Sequence, residues 1–257
     1  MENTPSTPPS GNQSDNNGLN EEKFIGPQHR PTSMGLAWLV QGFELFKRSP
    51  GPWMLTVVVV ILGAIVLSLI PFVGQLVGML TTYLWIGGLI IGCHAVSKGE
   101  RFDIRYLLAG FDPRYLKSLV TLSVLLAVAS NLIAYLVIGE DYFTVKFNQG
   151  SELPSEIDQV AFMKSTLIAL VFTLPVVMAS WFSPALIVLD NVPVIDALKL
   201  SFAGCLKNAF PFLIYGLLLA ALYVAGLFTF GLAYLVIVPV TYTSMYASYK
   251  DIYWESK

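Results

Sequence analysis

Six stretches of the chain contain no Asp, Glu, Lys or Arg, and that feature narrows the choice of fold more than any other. They cover residues 53–70, 72–96, 119–139, 165–189, 210–228 and 231–249, so each is 18 to 25 residues long. At about 1.5 Å per residue, helices of that length match a hydrocarbon core roughly 30 Å thick. The rival reading is a set of buried helices in a water-soluble domain. Such helices keep a polar stripe, whereas these segments are apolar on every side. A charge at a span centre costs about 2.5–3.5 kcal/mol on insertion, and none is present. The expected fold is all-α, a polytopic membrane bundle of about six transmembrane helices.

The remaining composition agrees. Only 12% of residues are charged, against about 25% in soluble domains, which leaves too little polar surface to cover a globule. A net charge of −2 gives nucleic acid no electrostatic reason to bind. Residues 1–33 are rich in Pro, Ser, Asn and Gly and poor in large apolar side chains. Such a segment cannot offset its ordering entropy, so a disordered cytoplasmic tail is expected over 1–33, followed by an integral membrane domain over 34–254. The polar start also predicts no cleavable secretory signal. Pro175, Pro184 and Pro239 lie inside the fourth and sixth stretches and predict kinks, not ends, because neighbouring groups in a bundle re-satisfy the freed carbonyls. Ser155 followed by Asp158 suggests a capping box ahead of the fourth span.

Charge placement predicts orientation. With six crossings, one side holds Lys23, Arg30, Lys47, Arg48, Lys98, Arg101, Arg105, Arg114, Lys117, Lys199, Lys207, Lys250 and Lys257. The other holds only Lys146 and Lys164. The richer side is expected in the cytoplasm with both termini, and the net-acidic 140–164 loop on the opposite side.

A cytoplasmic segment with an apolar face precedes each pair of spans. Leu36, Leu39, Val40 and Phe43 share the spacing of Ile104, Leu107, Leu108 and Phe111, and Val194, Leu198, Phe202 and Leu206 give a looser copy. The first and third copies also align Phe43 with Phe202, Arg48 with Lys207, Ser49 with Asn208, Pro52 with Pro211 and Trp53 with Phe212. Three units of surface helix plus transmembrane hairpin are expected, with apolar faces in the headgroup boundary. Their basic residues would meet anionic membrane lipid, each worth about 1 kcal/mol.

Sites of chemistry are harder to find. The spans carry no mid-depth acid or base of the kind that marks ion pathways. Asn131, beside Ser130, reads as an interhelical hydrogen bond. Gly74 with Gly78, and Gly88 with Gly92, form two G-x-x-x-G spacings that let backbones approach closely. Cys93 and His94 adjoin but lack further ligands or an orienting group. The tyrosines and Trp254 of the 246–254 segment read as an interfacial anchor with Lys250. The expectation is therefore no catalytic residue, no cofactor and no metal site.

Four stretches carry a resemblance: GLAWLVQGFELFKRSPGPWML at 35–55, WFSPALIVLDNVPVIDALKLSF at 181–202, CLKNAFPFLIYGLL at 205–218 and SMYASYKDIY at 244–253. Together they resemble a family of uncharacterised bacterial multi-pass inner-membrane proteins, found mainly in Gram-negative organisms. More distantly, they are similar to the membrane domain of some glycerophosphodiester phosphodiesterases, whose catalytic barrel is missing here. The resemblance implies a fold and a location and transfers no site residues.

The functional expectation is a non-enzymatic structural, assembly or lipid-environment role, with membrane lipid and either a membrane-protein partner or a second copy as its company. The alternative is a transporter or channel for a small or amphipathic solute. That alternative needs a polar path through Asn131, Ser130, Thr173, Ser180 and Ser183.

Overall fold

The computed structural model describes residues 23–70, 72–139, 141–142 and 158–255. The tail before Lys23, Ser155, Lys146 and most of the acidic loop lie outside them. The described chain is helical: α1 Met34–Lys47, α2 Pro50–Ser68, α3 Val73–Ser97, a 3-10 segment Ile104–Phe111, α4 Pro113–Ile138, α5 Gln159–Trp181, α6 Ser183–Asp190, α7 Val194–Lys207, α8 Ala209–Leu227 and α9 Tyr234–Tyr253.

Among the described residues, five helical segments are long and apolar enough to cross a membrane: α2, α3, α4, α5 continued by α6, and α8. Their outer surfaces are apolar and open. On α2 alone, Leu55, Val58, Val59, Val60, Ile61, Leu62, Ile65 and Val66 all face outward. Soluble monomers rarely expose contiguous apolar patches beyond a few hundred Å². Acyl chains are the solvent that suits such a surface.

The sixth expected span, 231–249, forms α9 but is not among the five. Its outer half, Tyr234–Val240, is apolar, whereas its inner half carries Thr, Ser, Tyr, Lys and Asp. That inner half is enclosed by protein. Thr243, Ser244, Ser248, Tyr249 and Tyr253 are all buried, and α9 is flanked by α1, α2, α3 and α8. A helix wrapped by other helices needs no lipid-compatible surface, so its hydropathy underreports its place in the bundle.

The N-terminal stretch differs from expectation. Residues 23–31, assigned to the tail, form no helix and pair with the end of α9: Ile25 N–H donates to the Tyr253 carbonyl and Gln28 N–H to the Ile252 carbonyl, both at 2.9 Å. Arg30 forms an ion pair with Asp251 at 3.1 Å. The Asn208 side chain accepts from Arg30 N–H and donates to the Gln28 carbonyl, each at 2.8 Å. This strap brings both ends of the described chain together at one end of the bundle. Composition concealed it because few of its residues are large and apolar; Phe24, stacked on Tyr253, supplies the packing.

Two further expectations change. The fourth span passes through Pro175, but at Phe182 the helix breaks and Pro184 sits in the first turn of α6. Proline at that position loses no helical hydrogen bond, so it starts a helix and does not kink one. At the other end of α5, the Asp158 carboxylate itself accepts from Val160 and Ala161 N–H, so Asp158 is the cap.

The three surface segments are not equivalent. On α1, Leu36, Val40 and Phe43 point outward as an interfacial stripe should, while Gly35, Trp38, Leu39, Gly42 and Phe46 are buried. The middle segment is a 3-10 helix packed into α3, with Leu107 buried and Phe111 against Trp85. Gly88 and Gly92 permit this contact: a Cβ on Gly88 would lie 2.4 Å from the Tyr106 carbonyl, and one on Gly92 2.5 Å from the Phe102 ring. α7 turns Ala197, Ser201, Gly204 and Cys205 inward. The aligned junctions do repeat physically. Ser49 Oγ accepts from Phe102 N–H at 3.1 Å, as Asn208 accepts from Arg30. Trp53 stacks on Phe102 at 3.7 Å and Phe212 packs on Trp38 at 5.0 Å.

Candidate functional site

Two cavities lie along the end of α5, just before its break at Phe182. Trp181 is the last residue of α5, and its indole forms a wall between two cavities. The larger, about 540 Å³, lies between α5 and α8 and is lined by Leu174, Val177, Met178, Leu213, Gly216 and Leu217 among others. Leu174, Val177, Leu213 and Leu217 belong to the outward-facing surface, so this groove opens sideways. The smaller, about 410 Å³, reaches α3 and α9 and is lined by Tyr83, Ser180, Tyr223, Thr241 and Tyr242 with apolar neighbours. Among the described residues no charged side chain lines either one.

The Trp181 indole N–H is shut away from solvent and has no hydrogen-bond partner among the described residues. Leaving such a donor unmet costs about 1–3 kcal/mol. Its ring is fixed edge-to-face against Phe212 and Tyr215, with centroids 6.2 and 6.1 Å away. Tyr215 is tied in turn to Ser244 of α9 at 2.8 Å.

The residues expected to form a polar path are not brought together. Thr173, Ser180 and Ser183 each donate to a carbonyl of their own helical stretch, at 2.8, 2.9 and 2.6 Å. Asn131 donates to the Ala127 carbonyl of its own helix at 2.7 Å and accepts from the Tyr142 hydroxyl at 2.8 Å. Only Ser180 reaches a cavity wall. Such hydroxyls have used their donors locally.

At the strap end the aromatic segment is core, not an interfacial anchor. Tyr246, Tyr249 and Tyr253 are buried. Tyr249 donates to the Asp190 carboxylate, Tyr253 donates to the Leu200 carbonyl at 2.8 Å, and Tyr246 meets His94 and Ser97 at 2.9 and 2.8 Å. Lys250 alone keeps its expected place, 3.7 Å over the Trp254 ring. Burial pushes the Cys205 thiol up to about 12, away from a reactive thiolate. Among the described residues no cluster could hold a metal ion. Sequence reading missed Trp181, whose only signal was a tryptophan next to a proline-bearing break.

The chain is 28% identical over 246 residues to a probable inner membrane protein of Burkholderia thailandensis, a match covering 85% of this chain and 90% of the relative. No protein-family profile and no solved structure matches it. The distant likeness to glycerophosphodiester phosphodiesterases is not shown by these comparisons.

Proposed function

We propose that this is a multi-pass inner-membrane protein with a non-enzymatic, lipid-environment role: it takes a membrane lipid sideways into the groove between α5 and α8. The observation that carries this reading is the groove itself, about 540 Å³, uncharged, and open on the bundle's apolar flank. Ligand sites commonly fall between about 300 and 1,000 Å³. A gap of that size facing acyl chains fills with them.

The strap supports an even number of crossings, because both ends of the described chain meet at one end of the bundle. The basic residues near that end support placing it in the cytoplasm, where they would also face anionic headgroups. The name of the Burkholderia relative supports the inner membrane.

Transport of an amphipathic solute is the second reading, favoured by the hydroxyl-lined cavity on the other side of Trp181. Locally satisfied hydroxyls along α5 and α6 weigh against a continuous polar route.

Purification in native lipid followed by mass spectrometry separates these readings. The lipid-holding role predicts a co-isolating lipid near one per chain. A stoichiometric polar solute would replace it with transport, and a stoichiometric protein with assembly.

A further inference from the structure

We infer that the turn joining α8 to α9 ends among the acyl chains of the leaflet opposite α1, so that this hairpin enters and leaves the membrane from one face. The turn, residues 228–233, holds the two most exposed large apolar side chains among the described residues. Phe228 is 83% and Phe230 99% exposed, with Leu227 and Leu232 open beside them. No Asp, Glu, Lys or Arg occurs in residues 208–249. The connections at the other end of the bundle carry Lys47, Arg48, Lys98, Arg101, Asp112 and Lys207. The backbone of the turn is also closed on itself. Every N–H from Phe228 to Ile237 donates within this stretch, Ala233 to the Thr229 hydroxyl at 3.0 Å and the others to carbonyls at 2.9–3.3 Å. The Thr229 hydroxyl donates in turn to the Gly226 carbonyl at 2.7 Å. Water does not demand such closure, whereas acyl chains offer no hydrogen bonds and do demand it. Phe230 holds a φ of 53°, a conformation that water-facing turns ordinarily give to Gly, Asn or Asp.

Helix length sets the depth. α1 marks one boundary of the acyl layer, with its outward stripe of Leu36, Val40 and Phe43 closed by Lys47. It crosses α8 at Tyr215 and α9 at Ser244: a Cβ on Gly35 would lie 3.0 Å from the Tyr215 nitrogen, and one on Gly42 2.5 Å from the Ser244 nitrogen. From Tyr215, α8 runs about 18 Å to its end at Leu227. From Ser244, α9 runs back about 15 Å to its start at Tyr234. Even with roughly 5 Å more for the turn, the tip stops short of the far side of a core about 30 Å thick. Tilt only shortens its reach. α4, with 26 residues and about 39 Å of helix, is long enough to cross. The carbonyls of Phe228 and Phe230 accept nothing within the turn, which favours a place close beneath the headgroups over the midplane.

The test places a nitroxide on the full chain in phosphatidylcholine nanodiscs, in turn at Phe230→Cys, Phe228→Cys, Val60→Cys and Arg105→Cys. Both tip residues are exposed, so neither substitution removes packing. Cys93 and Cys205 are buried, and the unsubstituted chain gives their background. Val60 faces outward from the middle of α2 and serves as the acyl reference. Arg105, exposed in the 3-10 segment, serves as the water reference. Collisions with oxygen, which concentrates in acyl chains, are compared with collisions with a water-soluble nickel chelate. The oxygen-to-nickel ratio at both tip positions is expected to approach that of Val60 and to exceed that of Arg105 several-fold. A ratio at either tip position closer to that of Arg105 overturns the inference. Collisions with both reagents far below the Val60 and Arg105 levels also overturn it, since a protein partner or a second copy then covers the tip.

Discussion

At the residue scale, the bundle is set by where backbones touch. A Cβ on Gly42 would lie 2.5 Å from the Ser244 backbone nitrogen, so α1 approaches α9 this closely at Ser244 because that residue is a glycine. The carbonyl of Gly42 also accepts from Thr243 at 2.8 Å. Gly42→Ala should cost about 1–3 kcal/mol through forced separation of the two helices. Gly78 differs: a Cβ there meets nothing within 4 Å. Gly78→Ala should be neutral or gain up to about 1 kcal/mol of helix propensity. Thermal unfolding of both variants in one detergent checks the contrast, and equal midpoints would contradict it. The G-x-x-x-G spacings were visible in the sequence, but their partners were not. Gly88 and Gly92 receive the 3-10 segment, whereas Gly74 abuts Leu67 of its own hairpin and Gly78 abuts nothing.

At the element scale, apolar spacing located every long helix but did not say which face turns inward. α1 is apolar on two faces, one packed inside and one outward, and a linear pattern cannot rank them. Replacing Leu36, Val40 and Phe43 together with Asp should therefore leave the fold intact and reduce lipid proximity of α1 in spin-label measurements. Leu107→Asp should behave differently. Leu107 is 5% exposed, and a charge there should abolish monodisperse recovery. Similar behaviour of the two variants would refute the distinction. Helix starts were also read late: α4 begins at Pro113, six residues ahead of its uncharged stretch. Its cap is Asp112, whose carboxylate accepts from the Arg114 side chain and N–H, contacts that hold its pKa down to about 2. A depressed carboxylate contributes fully above its ordinary value of about 3.9 and loses that contribution as pH falls toward about 2. Amide exchange at Arg114, corrected for intrinsic rate, should therefore accelerate over that window, and Asp112→Ala should remove the pH dependence.

At the scale of the whole molecule, class and architecture were legible because lipid imposes one rule on every outward residue. The enclosed parts were not legible by that rule. α9 carries Lys250 and Asp251 because neighbours and the strap cover its inner half; Arg30 and the Trp38 indole both bind Asp251. The cavities lie beside a break at Phe182 that no local signal marks except the proline after it. The strap makes the strongest topological statement, since residues 23–30 are pinned to the end of α9 and the chain between two such points crosses a bilayer an even number of times. Alkaline phosphatase and green fluorescent protein fused in turn at the N-terminus, after Gly150 and at the C-terminus test this directly. Fluorescence from both terminal fusions, with phosphatase activity only from the position after Gly150, is the predicted result. Termini reporting from opposite faces of the membrane would contradict the account.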